Sequence, residues 1–184
     1  MGVGMTGTTG TADILRRWAV ACLPGILCLS CLPLNAEPKM KLEELVQKLE
    51  NANPWTVEAV EKILGTKLSV TYSSKHILSY ESGQLDYDEG LLLVKTELRL
   101  NKGTNEMTRL IVNLSDDASC FMLDRIKRAY PDIQLDPYGP PRGKSLDEET
   151  GFWAKRPWGH ISFGFKERRP NCLSSIIFIP KGKE

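Results

Sequence analysis

The amino-acid sequence predicts an α+β domain, with a helical hairpin and a third helix packed on a mainly antiparallel sheet. Three observations lead to this. Apolar residues recur at helical spacing just after residue 40, and later runs alternate apolar with polar residues between turn clusters. An uncharged stretch behind two arginines sets residues 1–36 apart from the rest. At 184 residues the chain has room for one domain and such an appendage.

Leu42, Leu45, Val46 and Leu49 lie at i, i+3, i+4 and i+7, an apolar stripe on a first helix that Asn51-Ala52-Asn53-Pro54 ends. Thr56 is a good N-cap for a second helix, and Trp55 before it can staple onto Val60. Val57, Val60, Ile63 and Leu64 form the buried face of that helix, and Gly65 suits the left-handed residue past its end. Strands follow. Leu68, Val70 and Tyr72 alternate with polar residues, and Ile77 to Tyr80 comes after a polar turn. In the run Leu91 to Leu100, Leu92, Val94, Thr96, Leu98 and Leu100 share one face, with Lys95, Glu97 and Arg99 on the other. A turn cluster at 101–105 returns the chain into Met107 to Leu114 as a hairpin. Ser115-Asp116-Asp117 starts a third helix, with Cys120, Leu123, Ile126 and Tyr130 on its apolar face and Pro131 as its stop. Residues 132–150, rich in Pro and Gly, read as a long irregular loop. Phe152 to Arg156, His160 to Lys166 and Leu173 to Ile179 close the chain as strands, giving the order ααββββ-α-βββ.

Residues 1–36 read as a cleavable secretory signal. Arg16 and Arg17 precede the uncharged stretch Trp18 to Leu34, and Leu34-Asn35-Ala36 meets the polar start Glu37-Pro38-Lys39. That stretch is shorter than the ~20 residues that span a bilayer, and Pro24-Gly25 interrupts it. Cleavage after Ala36 leaves 37–184 as a periplasmic or secreted domain without a transmembrane segment. Cys31, after Leu29-Ser30, resembles a lipobox cysteine, which would make it a lipid anchor. Cys28 stands where that pattern wants an aliphatic residue, so ordinary secretion is the reading. Losing Asp13, Arg16 and Arg17 takes the net charge from +1 to zero. A domain with no net charge has no global basic field for nucleic acid.

Cys120 and Cys172 remain, one pair in an oxidising compartment, and are expected to form a disulfide. A Cys120–His160 protease pair is disfavoured, because a helix's apolar face does not make a reactive thiolate. His76 and His160 lack metal-ligand spacing, so no metal or cofactor is implied. Asp86, Asp88 and Glu89 read as a solvated turn rather than a calcium loop. Asn113-Leu114-Ser115 fits the glycosylation acceptor pattern, which matters only in a eukaryotic secretory pathway.

The densest chemistry is Phe152 to His160, where Trp153 and Trp158 flank Lys155 and Arg156. Trp, Tyr and Arg anchor interfaces because they bury large area at small entropic cost. Trp158, Arg156, Lys155, His160 and Trp153, with Tyr138 and Arg142 from the loop before them, are therefore the candidate binding residues. Trp153 reads as core and Trp158, between Pro157 and Gly159, as the exposed anchor. Lys166, Arg168 and Arg169 are expected to add a cationic rim. A small exported α+β domain with a leading helical hairpin is similar in architecture to bacterial periplasmic inhibitor and immunity proteins and to small envelope-assembly lipoproteins. The expected function is a non-catalytic partner of another envelope protein. The alternatives are a small envelope hydrolase acting through carboxylates, or a carbohydrate or cell-wall binding module.

Overall fold

The computed structural model describes residues 40–136 and 145–182. The expected signal with Cys31, and the candidates Tyr138 and Arg142, lie outside these residues. The described chain is α+β: helices α1 (Leu42–Glu50), α2 (Val57–Leu64) and α3 (Leu123–Ala129) pack on a sheet of nine strands. The strands are β1 (Ser69–Ser73), β2 (Ile77–Glu81), β3 (Leu85–Asp86), β4 (Leu92–Asn101), β5 (Met107–Leu114), β6 (Gln134–Leu135), β7 (Glu149–Arg156), β8 (Gly159–Lys166) and β9 (Leu173–Pro180). Their order is β1-β2-β4-β5-β9-β8-β7-β6, with β3 beside β4, and every pairing is antiparallel.

The core lies on one face of this sheet. Leu98, Leu110, Phe178, Ile161 and Ala154 stand side by side across five strands, all fully buried. Leu42, Leu45, Val46 and Leu49 of α1, Val60 and Leu64 of α2, and Ile126 of α3 join them in one apolar cluster. Helices α1 and α2 form where the sequence marks them. The Thr56 hydroxyl accepts from Ala59 N, and Gly65 takes the left-handed conformation that ends α2. Trp55 is buried, and its indole N–H donates to the Leu49 carbonyl, which ties the two helices at their turn. Tyr87 closes the other end of α2 by donating to Leu64 O, and burial pushes its phenol up to about 12.

Four expectations are corrected. The third helix does not begin at Ser115: Cys120 and Cys172 are bridged, and Met122 pairs with Cys172 as an extended bridge, so the chain turns helical only at Leu123. Cys120 is consequently exposed rather than on a helix's apolar face. In β4 a bulge between Leu93 and Lys95 changes the alternation, so Leu93 is buried and Val94 is 51% exposed. Val70 and Tyr72 are 57% and 58% exposed, because β1 is an edge strand with its own irregularity between them. Finally, the loop after α3 is not wholly irregular, since Gln134–Leu135 pairs with β7, which itself starts at Glu149.

Candidate functional site

The second face of the sheet carries the candidate site. The buried side chains of all three helices belong to the core on the first face, so no described helix packs here. Its middle is half-buried Ile111, Ile177 and Ser162, with Trp153 on the same row. Residue alternation along β7 puts Trp153 and Lys155 on this face, with Ala154 and Arg156 on the core side. His160 lies opposite Lys155 across the β7–β8 hairpin, and its ring meets Trp153 edge-on at 5.9 Å. Trp153, Lys155, Gly159, His160, Lys181 and Gly182 line an open depression of about 400 Å³ at the sheet's end.

Trp158 faces the other way. It occupies the two-residue turn after Pro157, and its ring packs 4.9 Å from Trp55 and 6.0 Å from Phe178. Trp158 is therefore half-buried against the core rather than an exposed anchor, and Trp153, also half-buried, lies on the face away from the core rather than in it. The reason is that the turn folds Trp158 back onto the helical hairpin, while the strand body at Trp153 belongs to a face that no described helix covers. A second depression, about 460 Å³, lies beside Trp158 between Pro54, Glu106 and Pro180. Lys181 lines both depressions, and its backbone N–H donates to Trp158 O at 3.0 Å. The two tryptophan surfaces thus meet around the end of β9.

Arg156 has a structural position. Its guanidinium donates to Glu50 at 3.2 Å and Asp132 at 2.9 Å and lies 4.9 Å over the Tyr130 ring, while Tyr130 donates to Glu50 at 3.1 Å. The hydrogen bond from Arg156 holds the Asp132 carboxyl below the usual carboxylate range, and burial with the neighbouring Glu50 charge raises the Tyr130 phenol. Lys166 and Arg168 do not join the Trp153 surface either. They sit at the opposite end of β8 and converge on Asp116, with Arg168 also 3.2 Å from Asp147 and Arg169 donating to the Asp116 carbonyl. Nor is Glu89 merely solvated: it pairs with Lys41 at 2.7 Å and Arg125 at 2.9 Å, and both cations lower its carboxyl.

Lys181, which lines both depressions, and Arg109, which shares the face but lines neither, were not legible beforehand. Lys181 follows the last strand in a short polar tail, and Arg109 sits among ordinary alternating residues of β5, so neither carries a motif. Arg109 faces the site side one step along β5 from the Leu110–Phe178 pair. A candidate thiol nucleophile is ruled out, since Cys120 is in a disulfide. Among the described residues no three His, Cys, Asp or Glu side chains converge to hold a metal ion. The site presents flat aromatic surface beside cations.

Comparison with protein-family models, curated proteins and solved structures finds no match to the chain.

Proposed function

We propose that the protein is exported and acts without catalysis, as an inhibitor or immunity-type partner of another envelope protein. The observation that carries this reading is the pair of tryptophan surfaces at one end of the sheet, with Lys155 and His160 beside Trp153 and Lys181 between the two surfaces. Half-buried Trp in an apolar and cationic setting is the composition of an interface hot spot. The Cys120–Cys172 disulfide suits an oxidising compartment, and no described helix is long and apolar enough to cross a membrane.

The test is co-isolation. Tagged full-length chain expressed in its own source should bring down one stoichiometric envelope protein. Trp153→Ala and Trp158→Ala should each weaken that capture about tenfold or more, as truncating a hot spot does. His76→Ala, in the β1–β2 turn, should leave it unchanged. Equal capture by all four chains would refute the assignment.

A further inference from the structure

About half of the cations of the described chain stand in ion pairs with carboxylates. Lys41, Lys67, Arg125, Arg156, Lys166 and Arg168 all stand in ion pairs, and all lie away from the Trp153 depression. On the helix-free face the acids are likewise engaged. Glu97 is held by Arg99 at 2.6 Å and Glu81 by Lys95 at 3.1 Å. Glu149 reaches across Gly164, which has no side chain to block it, and accepts from Ser174 and Ser175 at 2.7 and 2.6 Å. Lys155, Lys181 and Arg109 have no ion pair among the described residues, as is also true of Lys62, Lys75, Lys102, Lys127, Arg128 and Arg169, but Lys155 and Lys181 stand together beside the Trp153 depression. Lys155 and Lys181 are exposed on the rim of the Trp153 depression, and His160 lies between them. Arg109, two strands from His160, is roughly 10 Å away at ordinary strand spacing.

We infer that this end of the sheet receives an acidic, extended segment of a partner protein. The inference rests on the binding role proposed above and names the partner's chemistry. Charge complementarity is the argument. A patch of uncompensated cations is a local field, and on a domain without net charge it gives association a direction that the molecule as a whole lacks. The strip is long rather than deep, running from Trp153 past Lys181 to Trp158, so an extended chain can touch both aromatic surfaces at once. Its carboxylates would meet Lys155, Lys181 and Arg109, and side chains between them would lie on the indoles. Glu106 borders only the Trp158 end, where it sets the limit of the acidic register.

A fluorescent decaglutamate peptide is the probe, read by anisotropy with the purified full-length protein. It should bind saturably, and added salt should weaken it. Lys155→Gln and Lys181→Gln should each reduce affinity about fivefold, the scale of one rim charge. Lys75→Gln, in the β1–β2 turn, should not. Absence of saturable binding, equal affinity for a decalysine peptide, or indifference to both site lysines would overturn the inference. So would a sulfated oligosaccharide or an anionic phospholipid vesicle binding at these lysines more tightly than the peptide. If decaglutamate fails while Trp153→Ala still loses the envelope partner, the binding role stands and only the acidic chemistry falls. Failure of both removes the binding role itself.

Discussion

The two tryptophans show how a residue's role is decided by what lies over it. Both stand within one short aromatic and basic stretch, and composition alone marks that stretch as unusual. Alternation along β7 separates Trp153 from Ala154 without ambiguity, but it does not say which face the helices cover. That choice depends on where α1 and α2 dock, a long-range property of the chain. Thr96 is a second case. Strand periodicity places it on the core face, and the structure buries it fully between Leu98 and Leu93 with its hydroxyl unpartnered among the described residues. Thr96→Val should therefore stabilise the protein, by about 1 kcal/mol, because it removes an orphaned polar atom at nearly constant volume. Urea denaturation checks this, and a loss of stability would mean that the hydroxyl has a partner. Gly159→Ala should do the reverse, since its Cβ would strike the Ile179 carbonyl and lie 2.8 Å from Pro180 Cα. A cost on the order of 1–3 kcal/mol is expected.

Elements with strong local signals were legible, and those fixed by distant contacts were not. The stripe Leu42 to Leu49 and the Thr56 cap specify α1 and α2, and the turn cluster at 101–105 specifies the β4–β5 hairpin. In that turn the Asn101 carboxamide oxygen accepts from Gly103 N and Thr104 N, a local device readable from the sequence. The two-residue strands β3 and β6 carry no periodicity of their own and exist only by pairing with β4 and β7. The start of α3 is set by the disulfide and by the Met122–Cys172 bridge rather than by the acidic residues before it. Thr56→Ala should cost about 1 kcal/mol through loss of the cap to Ala59. Replacing both Cys120 and Cys172 by Ser should cost about 2–5 kcal/mol, the range for a native bridge in a small domain. Comparison of urea midpoints for the variants and the reduced protein checks both.

For the whole molecule, charge divides into a structural part and the part proposed for recognition. The structural part joins distant segments: Arg125 binds Glu43 of α1 at 2.7 Å and Glu89 of the turn before β4 at 2.9 Å, and Arg156 joins α1 to β7. The cations beside Glu43, Glu89, Glu97 and Asp132 hold these carboxyls below their ordinary values. Groups depressed in the folded state bind protons more tightly when unfolded, so their stabilisation is complete above the unfolded carboxylate range near pH 4. It is lost as pH falls through the depressed folded values. Urea midpoints should hold from pH 7 to 5 and drop below pH 4, and Arg125→Ala should flatten that drop. The part proposed for recognition is the cationic end with Trp153, and it is what the proposed function depends on. The most direct measurement places a photo-crosslinking amino acid at Lys155 of the full-length chain in its own source, with Lys75 as the control position. Irradiation should join Lys155, and not Lys75, to a single envelope protein through an acidic peptide. Labelling of that same protein from both positions, or none from Lys155, would contradict a binding site at the Trp153 depression.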